Sequence, residues 1–172
     1  MSMRVRSLAF VLFVGTLIVA EGQSRDSKLQ GQLKQLFPEA TAFSPKTGDP
    51  PHFKAYGVGQ SLVGLAFWTT ELEPLERGYD GPIQMLVGMD TRGILTGIIV
   101  AGHHEPYGDF SIEPPKFAAQ FKGKNIRDPF LPGRDLDAVS RATITMMSAT
   151  RAIRKSARRV ARALLTPSDG AK

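Results

Sequence analysis

The 172-residue chain contains no cysteine. That absence removes disulfide staples, iron–sulfur ligation and a thiol nucleophile together, so any redox role has to rest on a bound cofactor. A membrane-spanning run is also missing from the N-terminus. The apolar stretch Leu8–Ala20 has thirteen residues, against about 20 for a spanning helix. Arg4 and Arg6 precede it, and small Ala20 and Gly22 lie ahead of polar Gln23 and Ser24. Residues 1–22 therefore read as a secretory signal peptide or an uncleaved N-terminal anchor, and either reading exports the rest, to the periplasm or the outer face of the cytoplasmic membrane.

Acidic residues are scarce at one end only. Residues 21–140 hold 12 basic and 15 acidic side chains, whereas residues 141–172 hold 8 basic and 1 acidic. The net charge of +6 is thus a property of the C-terminal stretch. A uniformly basic surface would suit nucleic acid. One basic helix on a mildly acidic body suggests a solvated face, contact with an anionic membrane surface, or a dock for an acidic redox partner, and export removes nucleic acid as a partner. No Ser/His/Asp order, phosphate loop or dinucleotide fingerprint is present, so no residue is assigned as acid, base or nucleophile. His103-His104-Glu105 does not form a metal motif, because neighbours on an extended segment point to opposite faces.

What is present describes one α+β domain with an antiparallel sheet built from hairpins and a long C-terminal helix. Asp26–Leu36 carries Leu29, Leu33 and Leu36 at helical spacing, and Pro38 stops it. Residues 42–51, with three prolines and a glycine, read as a loop. His52–Tyr56 and Ser61–Thr69 form a first predicted hairpin; Ile83–Met89 and Ile94–Ala101, joined by Asp-Thr-Arg-Gly, form a second. Pro115–Phe121 is expected as a short helix, and residues 123–134 as a polar excursion over the surface. Trp68 reads as core. The last element, Ile144–Leu165, should bury a face of Met147, Thr150, Ile153, Ala157, Val160, Ala161 and Leu164. Residues 23–51 are then a lead-in, 52–165 the domain, and 166–172 a frayed end.

The stretch DLDAVSRATIT, Asp135–Thr145, stands at the mouth of that helix. A helix mouth carries unpaired N–H groups and a partial positive charge, so it receives an anion, or a phosphate carried on a hydroxyl. On local physics Asp137 or Ser140 would cap or brace the turn, Ala142 would leave the approach uncrowded, and Thr143 would occupy the first turn.

DAVSRAT resembles the Asp-x-x-Ser-Gly-Ala-Thr signature of the FMN-binding domain family. LFPEA, GDPP, Gly-Tyr-x-Gly-Pro-Ile at Gly78–Ile83, LVGMDTRGILTG and HHEP at His103–Pro106 resemble its NosR-like branch in the same order. The resemblance implies FMN joined through a phosphoester to Thr143 by a separate flavin transferase. It also implies an electron-carrier role with a redox partner protein, and a pocket lined by Gly78, Tyr79, His104 and Glu105. Where the family has glycine this chain has Arg141, poorly suited to a positive φ but able to set a guanidinium beside a phosphate. Arg141 opens two other readings, an unflavinylated sensor or interaction module and a domain that binds FMN without a covalent bond.

Overall fold

A computed structural model describes residues 25–165. The expected signal or anchor and the expected frayed end lie outside these residues. The chain falls into two units, residues 1–32 and 33–172. In the first, residues 25–32 are helical, and the second opens on the last turn of that helix, α1, residues 25–36. Five strands follow in the order β1 (Ala42–Phe43), β2 (Phe53–Tyr56), β3 (Leu62–Trp68), β4 (Gln84–Asp90) and β5 (Leu95–Gly102), every neighbour antiparallel. The helices are α2 (Thr69–Leu72), α3 (Gly108–Ser111), α4 (Pro115–Ala119) and the long α5 (Thr143–Leu164). This is the expected α+β architecture, with both hairpins in place.

The second hairpin is closed by its own side chain. Asp90 Oδ1 accepts from Arg92 N (2.9 Å) and Ile94 N (2.8 Å), and Gly93 takes φ +81°, which glycine adopts without a Cβ clash. On one face of the sheet, Leu36 and Phe37 rest in a trough of small residues. A Cβ on Gly64 would strike the Phe37 ring and the Met89 carbonyl, and one on Gly97 would press on Leu36. The other face contributes Leu65, Phe67, Met85, Val87, Leu95 and Ile98 to a core with Met146, Ala149, Ile153, Ala157 and Val160 of α5. Each such buried large side chain supplies roughly 1.5–3 kcal/mol of hydrophobic stabilisation.

Four details differ from the sequence reading. Ala42–Phe43, expected as loop, pairs with β2 as a fifth strand. The segment after Gly123 is not wholly superficial: Phe130 is 1% exposed and stacks on Phe121, ring centres 5.9 Å apart. The buried stripe of α5 runs through Met146 rather than Met147, with Ser148 and Ser156 also buried. Trp68 is only half-buried. Among the described residues no helix is long and apolar enough to cross a membrane.

The basic face of α5 is neither a free patch nor simply solvated. Arg151 and Lys155 hold Glu76 at 2.9 and 2.6 Å. Arg154 donates to Pro129 O, Arg158 to Ile126 O and Asp128 O, and Arg159 to Leu72 O. These cations terminate loop carbonyls that have no ladder partner, and so fasten the loops after α2 and before α5 to the helix.

Candidate functional site at the mouth of the long helix

α5 begins without a side-chain cap. Ala142 occupies the N-cap position at φ −116°, ψ 26°, and Met146 N donates to its carbonyl at 2.9 Å. The expected capping by Asp137 or Ser140 does not occur. The Asp137 carboxylate pairs instead with Lys116 of α4 at 2.9 Å, and Asp137 N donates to Gln120, so the turn is moored to α4. Ser140 is exposed, whereas Ala142 is buried.

The hydroxyls of the first turn face opposite ways. Residues two apart on a helix are about 200° apart around its axis. Thr143 is exposed, and its hydroxyl has no partner among the described residues. Thr145 is 2% exposed and donates to Glu105. One hydroxyl is exposed and unpartnered, and the other is a brace.

Glu105 is the knot of the site. It is 6% exposed, and its two oxygens accept from Tyr79 N and Asp80 N, each at 2.9 Å, as well as from Thr145. A Cβ on Gly78 would collide with this carboxylate, so the glycine is what lets the loop close on it. Gly78 N donates to Gly81 O at 2.7 Å, and Gly81 takes φ +121°. Three segments distant in sequence are thereby tied together: the Gly78–Gly81 turn, the His103–Pro106 loop and the first turn of α5. Three donors within the chain occupy the Glu105 carboxylate, which thereby positions the site. Burial opposes its charge, but the donations from Thr145, Asp80 and Tyr79 and the nearby His103 outweigh that and hold its pKa below the usual range.

His103 continues the same network. Its Nδ1 accepts from Glu105 N (3.1 Å), which leaves Nε2 to donate to Glu113 at 2.9 Å. His104 is exposed beside it. Several large apolar side chains on the tied segments also stay open to solvent: Tyr79 (71%), Tyr107, Phe110 and Ile144 (57%). Tyr107 and Phe110 touch, ring centres 5.4 Å apart. Sequence reasoning missed Tyr107, Phe110 and Thr145. Two aromatics three apart in a polar turn, and a second threonine two residues past Thr143, were the available signals.

Asp135, two residues before Asp137, organises the approach. It accepts from Phe130 N (3.1 Å), Leu131 N (2.7 Å) and Lys124 Nζ (3.3 Å). Burial raises its pKa, and these donors more than reverse the effect, as Lys155 and Arg151 do for Glu76. All three carboxylates are therefore easier to ionise folded than unfolded. They stabilise the fold above the ordinary carboxylate range, and that contribution is lost as pH falls from there through their lowered folded values. Urea midpoints measured from pH 7 to pH 3 should fall steeply below about pH 5. A Glu105→Gln variant, which has no charge to lose there, should start lower and give a shallower curve.

Arg141 has φ +69°, one of three non-glycine residues with positive φ among the described residues. The position takes the left-handed conformation that glycine adopts most readily, and arginine holds it at a cost of roughly 1–2 kcal/mol. Allowing for glycine's greater freedom in the unfolded chain, Arg141→Gly should stabilise the domain by about 0.5–1 kcal/mol. A rise in denaturation midpoint would show it.

The first turn of α5 thus presents an exposed, unpartnered Thr143 hydroxyl, while Thr145 ties the same turn through buried Glu105 to the Tyr79–Asp80 turn. Residues 78–158, just under half of the chain, match the model of the FMN-binding domain, and FMN is the cofactor that this match supports. The chain is 28% identical over 169 residues to regulatory protein NosR of Pseudomonas aeruginosa, covering 90% of this chain and 22% of that protein. It is 25% identical to regulatory protein NosR of Stutzerimonas stutzeri, covering 88% of this chain and 22% of that protein. It is also 32% identical over 118 residues to one component of the ion-translocating oxidoreductase complex of Erwinia tasmaniensis, covering 63% of this chain and 54% of that protein. The chain spans about a fifth of the length of the first two relatives and about half of the third.

Proposed function

We propose that this domain carries FMN joined through a phosphoester to Thr143 and relays electrons between partner proteins outside the cytoplasm, near the membrane surface. The observation that carries the reading is the division of labour between Thr143, exposed and unpartnered, and Thr145, buried on Glu105. The residues fit the cofactor. The first-turn N–H groups and the helix field favour a phosphate on Thr143 by roughly 0.3–1 kcal/mol, and Tyr79, Tyr107 and Phe110 offer open aromatic surface on the segments tied to that turn. Bound FMN supplies the redox chemistry; the chain anchors, orients and partly shields it. Covalent attachment keeps a flavin that could not readily be replaced outside the cell.

The names of the relatives, a component of an oxidoreductase complex and a regulatory protein, support a place in a redox assembly. A flavin transferase and at least one redox protein are then the partners. The exposed Arg141 beside the acceptor favours a second reading, an unflavinylated interaction module. Co-expression with a flavin transferase in an exporting host, followed by intact mass, separates them. A gain equal to FMN less one water is the expected result. An unmodified mass in both the wild type and Arg141→Gly would overturn the covalent reading.

A further inference from the structure

The arginines of α5 that fasten the loops spend hydrogen bonds without losing their charge. Glu73, Arg154, Lys155, Arg158, Arg159 and Arg162 line a cavity of about 330 Å³ along the C-terminal half of the helix. Lys155 is already matched by Glu76. The four arginines are not. Arg154, Arg158 and Arg159 donate only to neutral backbone carbonyls, and Arg162 has no partner among the described residues. None of the four makes an ion pair among the described residues, and Glu73 is the only carboxylate in the cavity wall. Four guanidinium charges therefore face one carboxylate.

The carbonyl contacts also fix where these charges stand. A guanidinium has a fork of N–H donors, of which Arg154 and Arg159 each commit one, so the rest can receive an anion already aimed. Arg154, Arg158 and Arg162 follow at four-residue spacing, about 6 Å apart along the helix axis. Alternate side chains of an extended chain share one side and stand about 6.6 Å apart. The two repeats match. A membrane presents a plane of charge, whereas Arg154 and Arg158 are half-buried in a cavity wall, within reach of a narrow chain. We propose that this cavity docks an extended acidic segment of a partner protein, whose carboxylates at alternate positions pair with Arg154, Arg158 and Arg162, with Arg159 as a fourth contact. Arg154 lies about 16 Å and Arg162 about 28 Å along the helix from Thr143. A partner tethered here leaves the Thr143 hydroxyl free, and the dock does not depend on flavin.

The test uses the full chain without flavin, so its outcome is separate from that of the flavin reading. The protein is titrated into a fluorescein-labelled peptide of alternating glutamate and serine, and binding is read by fluorescence anisotropy. Saturable binding with Kd below about 1 mM is expected at low salt, lost near 1 M salt, where the Debye length is about 3 Å. A peptide of the same composition with its glutamates in one block should bind at least about 3-fold more weakly. Arg162→Glu should weaken the alternating peptide by about 5-fold or more, and Arg159→Glu with Arg162→Glu by more still. Lys122→Glu, an exposed position outside the cavity with the same change in net charge, should leave binding within about 2-fold. Thermal midpoints check folding, and Arg162→Glu, which breaks no contact among the described residues, carries the result if Arg159→Glu loosens the loop at Leu72. No saturable binding, equal binding of the blocked peptide, or equal weakening by Lys122→Glu and Arg162→Glu overturns the proposal. Retention on phosphatidylglycerol vesicles without binding of the peptide overturns it too, and assigns the face to a membrane.

Discussion

Replacing Thr143 with alanine should abolish covalent flavin completely while leaving the fold almost untouched. Its hydroxyl is exposed and bonds to nothing within the described residues, so the stability change should stay within about 0.5 kcal/mol. Thr143→Ser should keep some modification, because the acceptor oxygen survives at the same place on the helix. Neither Ser140 nor Thr145 should take over. Ser140 precedes the left-handed Arg141 and lies outside the helix, and the Thr145 hydroxyl is spent on Glu105. Intact masses of the three proteins after co-expression with the transferase, with parallel urea melts, separate loss of the acceptor from loss of the fold.

The largest effect on stability should come from Glu105→Ala. Removing this carboxylate strands Thr145 Oγ1 in a buried place and Tyr79 N and Asp80 N in a partly buried one, and leaves a void beside Gly78. Donors to a charged acceptor contribute about 1.5–3 kcal/mol each, and part of that is recovered where water reaches the Tyr79–Asp80 turn. A loss of about 2–4 kcal/mol at pH 7 follows, a large share of the 5–15 kcal/mol that typically holds a domain together. Urea denaturation at pH 7 measures it. Because Glu105 also fixes the first turn of α5, the variant should be a poor transferase substrate even below its melting temperature. A Glu105→Ala protein as stable as the wild type would mean that the three segments are held by packing alone.

The parts of this fold that could be read from the sequence are those whose signal is local. The second hairpin shows because Asp90 and Gly93 bracket two apolar runs, and the structure closes that turn through the Asp90 side chain. The long helix shows through its period, with Thr150, Ile153, Ala157, Val160 and Ala161 buried as expected, but in its first turns Met146 rather than Met147 faces the core. Ser148 and Ser156 are buried although polar, since small side chains let the helix approach the core. β1 is too short to carry a pattern, and Phe130 enters the core from a proline-broken stretch without periodicity.

At the site, the acceptor turn and the Gly78 and Glu105 segments were legible through resemblance, and the structure joins them. Their roles were less so. A glutamate in a polar His-His-Glu-Pro loop reads as a ligand-facing group; only the fold shows that it accepts from Tyr79, Asp80 and Thr145 inside the protein. Asp137 reads as a cap because it precedes a helix, yet Lys116, far along the chain, claims its carboxylate.

The most direct measurement is fragmentation of the flavin-bearing peptide. After flavinylation and proteolysis, tandem mass spectrometry of the peptide spanning Ala142–Arg151 should place the FMN phosphoester on Thr143, with Thr145 unmodified. Flavin on Thr145, on Ser140 in the preceding peptide, or on no residue at all would contradict the assignment of the exposed threonine as anchor and the buried one as brace.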